Sequence, residues 1–412
     1  MGNLQEVVPK TFVRGTHRAL DPEQTLARVS RLMPIFGVTR VADVTGLDCI
    51  GVPVAMAYRP NARSVAVSPG KGLDLTAAKA SALMEAVEGW HAERIIAPLL
   101  LASYNELRFE RRVVDIARLP RRAAGELHED TRLLWIEGRD LLAEQSSWVP
   151  FEVVHTNYTV PLPSGSGALV ASSNGLASGN HLLEAITHAL CEVIERDAST
   201  LWHAHDTPTR KATAIDPSSV DDPACISVME RLDHASVKFG IWETTSDVGV
   251  AAFRCVIVDK TPRSLRPNLP GVGAGCHPSR AIALLRSLTE AAQTRMTLIS
   301  GARDDLGVAH YVRTADPVSH ERALQSIDAA GPRRSFRDAP HFEGETFNAD
   351  LSFLLERVRS VGVREVVAVD LTKEKLGLPV VRVVVPGLEG VHDAPGYRGG
   401  ERYRQKRKEQ GN

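Results

Sequence analysis

The 412-residue chain is poor in aromatic residues. Phe, Trp and Tyr make up 5% of it and are too scattered to build stacking platforms for nucleic-acid bases. Cysteine is scarce as well: Cys49, Cys191, Cys225, Cys255 and Cys276 are odd in number, widely spaced and form no C-x-x-C pair. That argues against a disulfide framework or a structural zinc site and fits a reducing, cytoplasmic setting. Cys276 and His277 are neighbours, but two adjacent residues do not make a tetrahedral metal site. There is almost no net charge (49 basic against 50 acidic residues, −1 overall), so general adhesion to nucleic acid or to a membrane is not the main task. No apolar run approaches the ~18 residues of a membrane span; residues 95–101 (IIAPLLL) are short and contain Pro98. The N-terminus lacks the apolar core of a secretory signal, and the Met1-Gly2 start of a myristoylation signal is followed by Glu6 where Ser or Thr belongs. H-E-x-x-H, G-x-S-x-G and a strand-linked G-x-G-x-x-G are absent, and the glycines of 271–275 (GVGAG) have the wrong spacing for a dinucleotide loop.

What remains suits a folded core: 43% of residues are hydrophobic and 24% charged. Alternating residues predict strands near 38–45, 52–58, 132–137 and 148–155, two more within 237–258, and Val-rich buried strands at 361–370 and 379–386. Residues 73–94, 181–198 and 278–299 predict long helices. Glycine-containing loops precede them at 68–72, 164–180 and 271–275. Runs of strands between helices point to an α+β or mixed α/β chain with one extensive sheet. The polar stretch 302–350 reads as a lid or variable insertion. The ending GYRGGERYRQKRKEQGN reads as a solvated, flexible basic tail, or alternatively as a docking segment for an acidic partner.

One pattern occurs three times. Residues 82–88 (ALMEAVE), 189–195 (ALCEVIE) and 287–293 (SLTEAAQ) each lie late in a predicted helix that follows a glycine loop. In the first two, Gly72 and Gly179 stand thirteen residues before Glu85 and Glu192. At 100° per residue, Ser81, Glu85 and Glu88 fall within an arc of ~60°, and Glu184, His188, Glu192 and Glu195 within ~80°. A Glu pair one turn apart is ordinary on a solvated helix face. These stripes, however, have no Lys at i+4 to pair them, and the pattern recurs. Gathered carboxylates repel unless cations neutralise them, and oxygen-only ligands suit Mg²⁺, which usually arrives with phosphates. The loops 68–72 and 172–180 would then offer free N–H groups to anions at helix starts, although neither is a P-loop.

These motifs together resemble the YcaO family. They are Ser81-x-x-x-Glu85-x-x-Glu88, residues 174–180 (NGLASGN) leading to Glu184, residues 192–196 (EVIER), residues 290–295 (EAAQTR), and the late strand ending at 386–389 (PGLE). The resemblance spans about residues 60–390 and implies a YcaO-like catalytic domain at 61–390. A segment 1–60 would pack on it, with the tail at 391–412. It implies an ATP- and Mg²⁺-dependent enzyme that phosphorylates a peptide-backbone amide oxygen, after which a nucleophile displaces phosphate. By the match, Glu85, Glu88, Glu192 and Glu195 hold Mg²⁺, with Glu85 and Glu192 also part of the nucleotide site. Ser81, Asn180, Glu184, Arg196, Gln293 and Arg295 position nucleotide and phosphates, and Arg18 is an N-terminal phosphate contact.

Residues 14–18 (RGTHR) with 22–25 (PEQT) further resemble members that work with a TfuA-type partner. Two departures stand out. Gly89 follows Glu88 where many relatives carry Arg, and the Pro-x-Pro-x-Pro ending of azoline-forming members is missing. The latter turns the implied product toward a thioamide in a peptide or protein substrate. A cyclodehydratase, a non-catalytic nucleotide-binding regulatory protein and an unrelated carboxylate-bridged metallohydrolase are the alternatives. The resemblance also allows a homodimer.

Overall fold

A computed structural model describes residues 6–163, 165–261, 269–328 and 333–411; Met1-Gly2 and residues 329–332 of the polar stretch lie outside them. The architecture is mixed α/β. Helix α1 (Pro22–Ser30) precedes an antiparallel sheet of β1 (Arg40–Asp43), β2 (Val54–Tyr58) and β3 (Val67–Lys71), which leads into α2 (Leu75–Glu93). A six-stranded sheet contains β4 (Leu99–Ala102), β5 (Leu133–Asp140), β6 (Gln145–Pro150) and β7 (Leu176–Ser178), and β7 runs directly into α3 (Leu182–Ala204). After α4 (Pro223–His234) comes a second antiparallel triplet, β8 (Val237–Glu243), β9 (Ala252–Asp259) and β10 (Gly271–Cys276), followed by α5 (Arg280–Ser300). The chain continues through α6 (Val308–Ala315), α7 (Pro317–Asp328) and α8 (Phe347–Ser360). It returns to the six-stranded sheet as β11 (Val367–Asp370) and β12 (Val380–Val384), and ends in α9 (Glu401–Gln410). Among the described residues the expected single extensive sheet is therefore divided into one six-stranded and two three-stranded sheets, with two further two-stranded pairs. Residue 60 falls inside the first three-stranded sheet, between β2 and β3.

The threefold sequence pattern has a physical basis. The first and third copies are the same unit, three antiparallel strands and then a helix that lies back on them; the second copy is β7 and α3. Each helix packs on its own strand and also on the strand that leads into another unit's helix: α2 touches β7, α3 touches β10, and α5 touches β3. The contacts close a ring of three, and the ring brings the three carboxylate stripes toward one centre. The apolar stripes point away from it. Leu183, Ile186, Leu190 and Ile194 of α3 pack against Ala177, Val381 and Val383 on one face of the six-stranded sheet. On its other face Leu83, Ala86 and Val87 of α2 join Trp135, Val367 and Val369.

Glycine sets how near the helices come. A Cβ on Gly271, Gly273 or Gly275 would lie 2.2, 2.1 and 2.1 Å from Ala291 O, Ser287 O and Ala283 O of α5, so alternate residues of β10 are glycine because the helix backbone lies on them. A Cβ on Gly70 would lie 2.1 Å from Ala82 N of α2. Both segments were expected to be loops and both are strands. The loop reading of 68–72 fails because β3 is hydrogen-bonded to β2 along its length. The phosphate-cradling N–H groups expected in the second loop are also in use: Ser178 N donates to Glu88, Gly179 N to Pro379 O and Asn180 N to Glu184.

The basic ending departs from the flexible tail that its composition suggests. It forms α9, held because Arg402 places Nε and Nη2 each 3.0 Å from the two oxygens of Asp197, a fully buried carboxylate of α3. Glu389 accepts Gly400 N at 2.7 Å and Tyr403 N at 2.8 Å. Among the described residues no helix is long and apolar enough to cross a membrane.

Candidate active site

The three helices enclose a cavity of about 680 Å³. Arg18, Ser81, Glu85, Glu88, Asn180, Glu184, Glu192, Glu195, Arg196 and Gln293, all expected at the site, line it. Glu88 Oε1 accepts Ser178 N and Ser178 Oγ, both at 2.8 Å, which turns the carboxylate of α2 toward the start of α3. Glu184 Oε2 accepts Ala19 N at 3.0 Å and Asn180 N at 3.2 Å, while Arg18 Nε lies 3.6 Å from Oε1. The N-terminal segment is thus clipped onto the first turn of α3. Arg196 lies 3.9 Å from Glu192 and 3.8 Å from Glu195, near but not in tight hydrogen-bonded contact. Gln293 Nε2 donates to Pro69 O at 3.0 Å, and its buried Oε1 has no partner among the described residues.

Arg295 does not join them. Its guanidinium lies outside the cavity, with Nε 2.8 Å from Asp48 Oδ2 and Nη1 3.1 Å from Asp259 Oδ2, in a buried trio that ties Asp48, between β1 and β2, and β9 to α5. The reason is helical geometry: at 100° per residue Arg295 points about 140° away from Glu290 and about 160° from Gln293. Glu290 takes a place that the expected site list lacked. It lines the cavity, holds Lys71 Nζ at 2.9 Å and accepts Ala274 N at 3.3 Å. The signal for it was in the sequence, since it is the first Glu of the third copy. Lys71, Arg286 and Arg303 also line the cavity; Arg286 stands one helical turn before Glu290, whereas nothing in its local pattern marked Arg303.

Burial sets the proton affinities. It raises Glu85 to about 8, helped by the neighbouring Glu88 and opposed by Lys71 and Arg303. Glu88 and Glu192 rise to about 7, again chiefly through burial, opposed by the Ser178 hydrogen bonds in one case and by Arg196 in the other. Glu195 and Glu184 are raised for the same reason. Glu290 is the exception: burial works against its charge, but Lys71 and Arg196 outweigh it and the net shift is downward. Carboxylates raised in this way and gathered in one cavity would be favoured in their charged form by a nearby cation.

The donor set fits Mg²⁺ bound with phosphates. It is all oxygen, as a hard ion requires, and spread over three helices. Among the described residues one trio of His, Cys, Asp or Glu groups gathers its ligand atoms within 4.8 Å, namely His17, His277 and Asp350. There the Lys10 ammonium, 2.7 Å from Asp350 Oδ2, already supplies the cation. The cavity glutamates are less tightly clustered, which suits an ion that keeps waters and takes one or two carboxylates plus phosphate oxygens. Lys71, Arg196, Arg18 and Arg286 on the same walls suit the phosphates themselves.

Comparison with known proteins agrees. Residues 69–389 match the family model described as YcaO cyclodehydratase, ATP- and Mg²⁺-binding. A protein of Rhizobium leguminosarum bv. trifolii described as an uncharacterized protein in the tfuA 3' region is 36% identical over 379 residues, covering 90% of this chain and 88% of its own. An uncharacterized protein of Methanothermobacter thermautotrophicus is 36% identical over 376 residues, covering 90% and 95%. Among solved structures the fold is shared with YcaO from Methanopyrus kandleri bound with AMPPCP and Mg²⁺ (TM-score 0.69, 23% identity, 92% of this chain and 94% of that one). It is shared also with a heterocyclase in complex with substrate and cofactor (TM-score 0.75, 24% identity, 93% of this chain), of which the present chain spans 54%. With its helices, its carboxylates and its sequence all in accord, the chain belongs to the YcaO family of ATP- and Mg²⁺-binding proteins.

Proposed function

We propose that the protein uses Mg²⁺-ATP to activate a peptide-backbone amide by phosphorylating its oxygen, and that sulfide then displaces phosphate to leave a thioamide. The observation that carries this reading is the convergence of glutamates from three helices with Lys71, Arg18, Arg196 and Arg286 around a single cavity. When bound, Mg²⁺-ATP supplies the phosphoryl group: the amide oxygen gains the γ-phosphorus as ADP leaves, and the carbon–oxygen bond breaks as sulfur takes its place.

The chain's own groups do the positioning. Glu85, Glu88, Glu192 and Glu195 hold Mg²⁺ on the cavity wall. Lys71, Arg196 and Arg18 hold the phosphate oxygens and neutralise charge that grows during transfer. Gln293 presents its free Oε1 to a donor on the nucleotide. Glu184 fixes the N-terminal segment so that Arg18 stays at the site. Phosphoryl transfer needs mainly alignment and charge neutralisation, so a site without an evident nucleophile is sufficient.

The relative from a tfuA region favours thioamide formation with a TfuA-like partner protein. Azoline formation is the second reading, supported by the family's description as cyclodehydratases. Comparing peptide masses from cells with and without the gene separates them: a thioamide adds about 16 Da and an azoline removes about 18 Da at the activated amide. Gene-dependent peptides carrying neither change would remove the amide-activation reading.

A further inference from the structure

The face of α3 that carries the carboxylate site continues beyond it. His203 stands two turns past Arg196, turned from it by only about 20° and about 10 Å further along the axis. Around it lies a group of rings and arginines that phosphoryl transfer does not use. The His203 ring stacks on His392, in the loop after β12, with centroids 4.0 Å apart, and meets the Trp202 ring edge-on at 5.0 Å. Two guanidiniums lie over the Trp202 ring. Arg210 of the short helix Thr207–Lys211 is 5.4 Å from its centroid, and Arg254 of β9 is 5.8 Å from it.

The charge in this group is not balanced. Both arginines are half-buried, and neither forms an ion pair among the described residues. Arg210 Nη2 donates to Thr207 Oγ1 at 3.4 Å, while its buried Nε has no partner. The Arg254 guanidinium makes no hydrogen bond among the described residues. Burial lowers its proton affinity; Asp393 opposes this, and Arg210 adds to it. Asp393 is exposed and stands outside ion-pair distance, and it acts also on the cavity-lining Arg196. The imidazoles contribute no positive charge near neutral pH, because burial holds His203 down to about 3, with His392, Arg254 and Arg210 pressing the same way. Two like charges drawn partly out of water without an anion are costly. Arg295, with an aspartate on either side, shows how the same fold satisfies an arginine that has only a structural task.

We propose that Arg210 and Arg254, set about Trp202, form a subsite for an acidic side chain of the peptide substrate, outside the nucleotide cavity. A guanidinium lying over an aromatic ring keeps its N–H edge free, and that edge matches a carboxylate. The place suits a peptide because it follows the cavity along one helix face. An extended chain advances about 3.3 Å per residue, so the acid stands about three residues from an amide held beside Arg196. The position of the acid rests on the amide-activation reading; the binding of an acidic peptide does not.

The test is fluorescence anisotropy of a labelled hexaglutamate peptide with the full-length protein at low ionic strength, with and without Mg²⁺-AMPPCP. Wild type is compared with Arg210→Gln/Arg254→Gln. Arg404→Gln/Lys408→Gln, on exposed positions of α9, is the control with the same change of charge. The expected result is saturable binding, retained with nucleotide present and weakened about tenfold or more in the first variant. The control should weaken it less than about twofold, and Mg²⁺-AMPPCP affinity should be unchanged in both. Should the double variant not fold, Arg210→Gln alone must still weaken binding at least about threefold. No binding by wild type, equal losses in the two double variants, or binding that Mg²⁺-AMPPCP abolishes would overturn the proposal; the last would place the peptide in the nucleotide cavity. Gene-dependent modified peptides with no Asp or Glu within about four residues of the altered amide would overturn it as well. A wild type that binds the peptide but no Mg²⁺-AMPPCP keeps the subsite and counts against the proposed function instead.

Discussion

Two clusters of buried charge, one anchored on α5 and the other on α3 and α2, behave in opposite ways. In one, Arg295 is clamped between Asp48 and Asp259 at 2.8 and 3.1 Å. In the other, the glutamates around Arg196 stand 3.8 and 3.9 Å from it, and burial holds most of them toward their protonated forms. The first cluster is complete as it stands. On the function proposed above, the second is completed by a divalent cation and phosphates. Residue type does not separate structure from function here, since both clusters are built from arginine and carboxylates; the difference lies in whether the partners are already satisfied.

The largest expected effect breaks the satisfied cluster. Arg295→Ala leaves Asp48 and Asp259 facing each other in the interior, and should cost about 3–5 kcal/mol of stability, measured by urea unfolding. Glu192→Gln should do the reverse: little or no loss of stability without metal, yet nucleotide binding at least about tenfold weaker, about 1.4 kcal/mol. If both variants lose stability alike, the distinction between the clusters collapses.

Packing beneath the two clusters comes next. Gly273→Ala places a methyl group against Ser287 O of α5 and should cost about 1–3 kcal/mol. An unchanged melting temperature would mean that β10 is looser than its glycines indicate.

The pH dependence sharpens the comparison further. Glu85, Glu88 and Glu192 have folded-state values raised to about 8, 7 and 7, so between the ordinary carboxylate range and those values the folded state holds protons that the unfolded state has released. Stability of the metal-free protein should therefore fall as pH rises from about 5 to 8. The gain in melting temperature on adding Mg²⁺-ATP should grow over the same interval, because the metal takes the place of those protons. A gain that is flat with pH would contradict the assignment. The smallest effect is expected at the surface: Lys406→Ala, which removes the exposed pair with Glu409 on α9, should change stability by less than about 0.5 kcal/mol.

Much of this was legible in the sequence. The three long helices follow from their apolar periodicity, and Ser81, Glu85, Glu88, Glu184, Glu192 and Glu195 line the cavity from the faces that helical spacing assigns to them. β3 and β10 were hidden because Gly70, Gly72 and the alternating glycines of 271–275 read locally as turns. Their meaning depends on a helix backbone that lies close in space, which no local window contains. Arg295 was drawn to the site by its place in a motif, although its angle on α5 turns it away. The tail was misread because Asp197, the carboxylate that holds Arg402, is 205 residues distant. Arg303 reaches the cavity only through the course of the chain after α5.

The most direct test of the central claim is calorimetric titration of Mg²⁺-ATP into the wild type and Glu192→Ala. The account predicts micromolar binding to the wild type, about −8 kcal/mol, that requires Mg²⁺ and weakens at least about tenfold in the variant. A folded wild type that binds no nucleotide, or a variant that binds as tightly as the wild type, would contradict it.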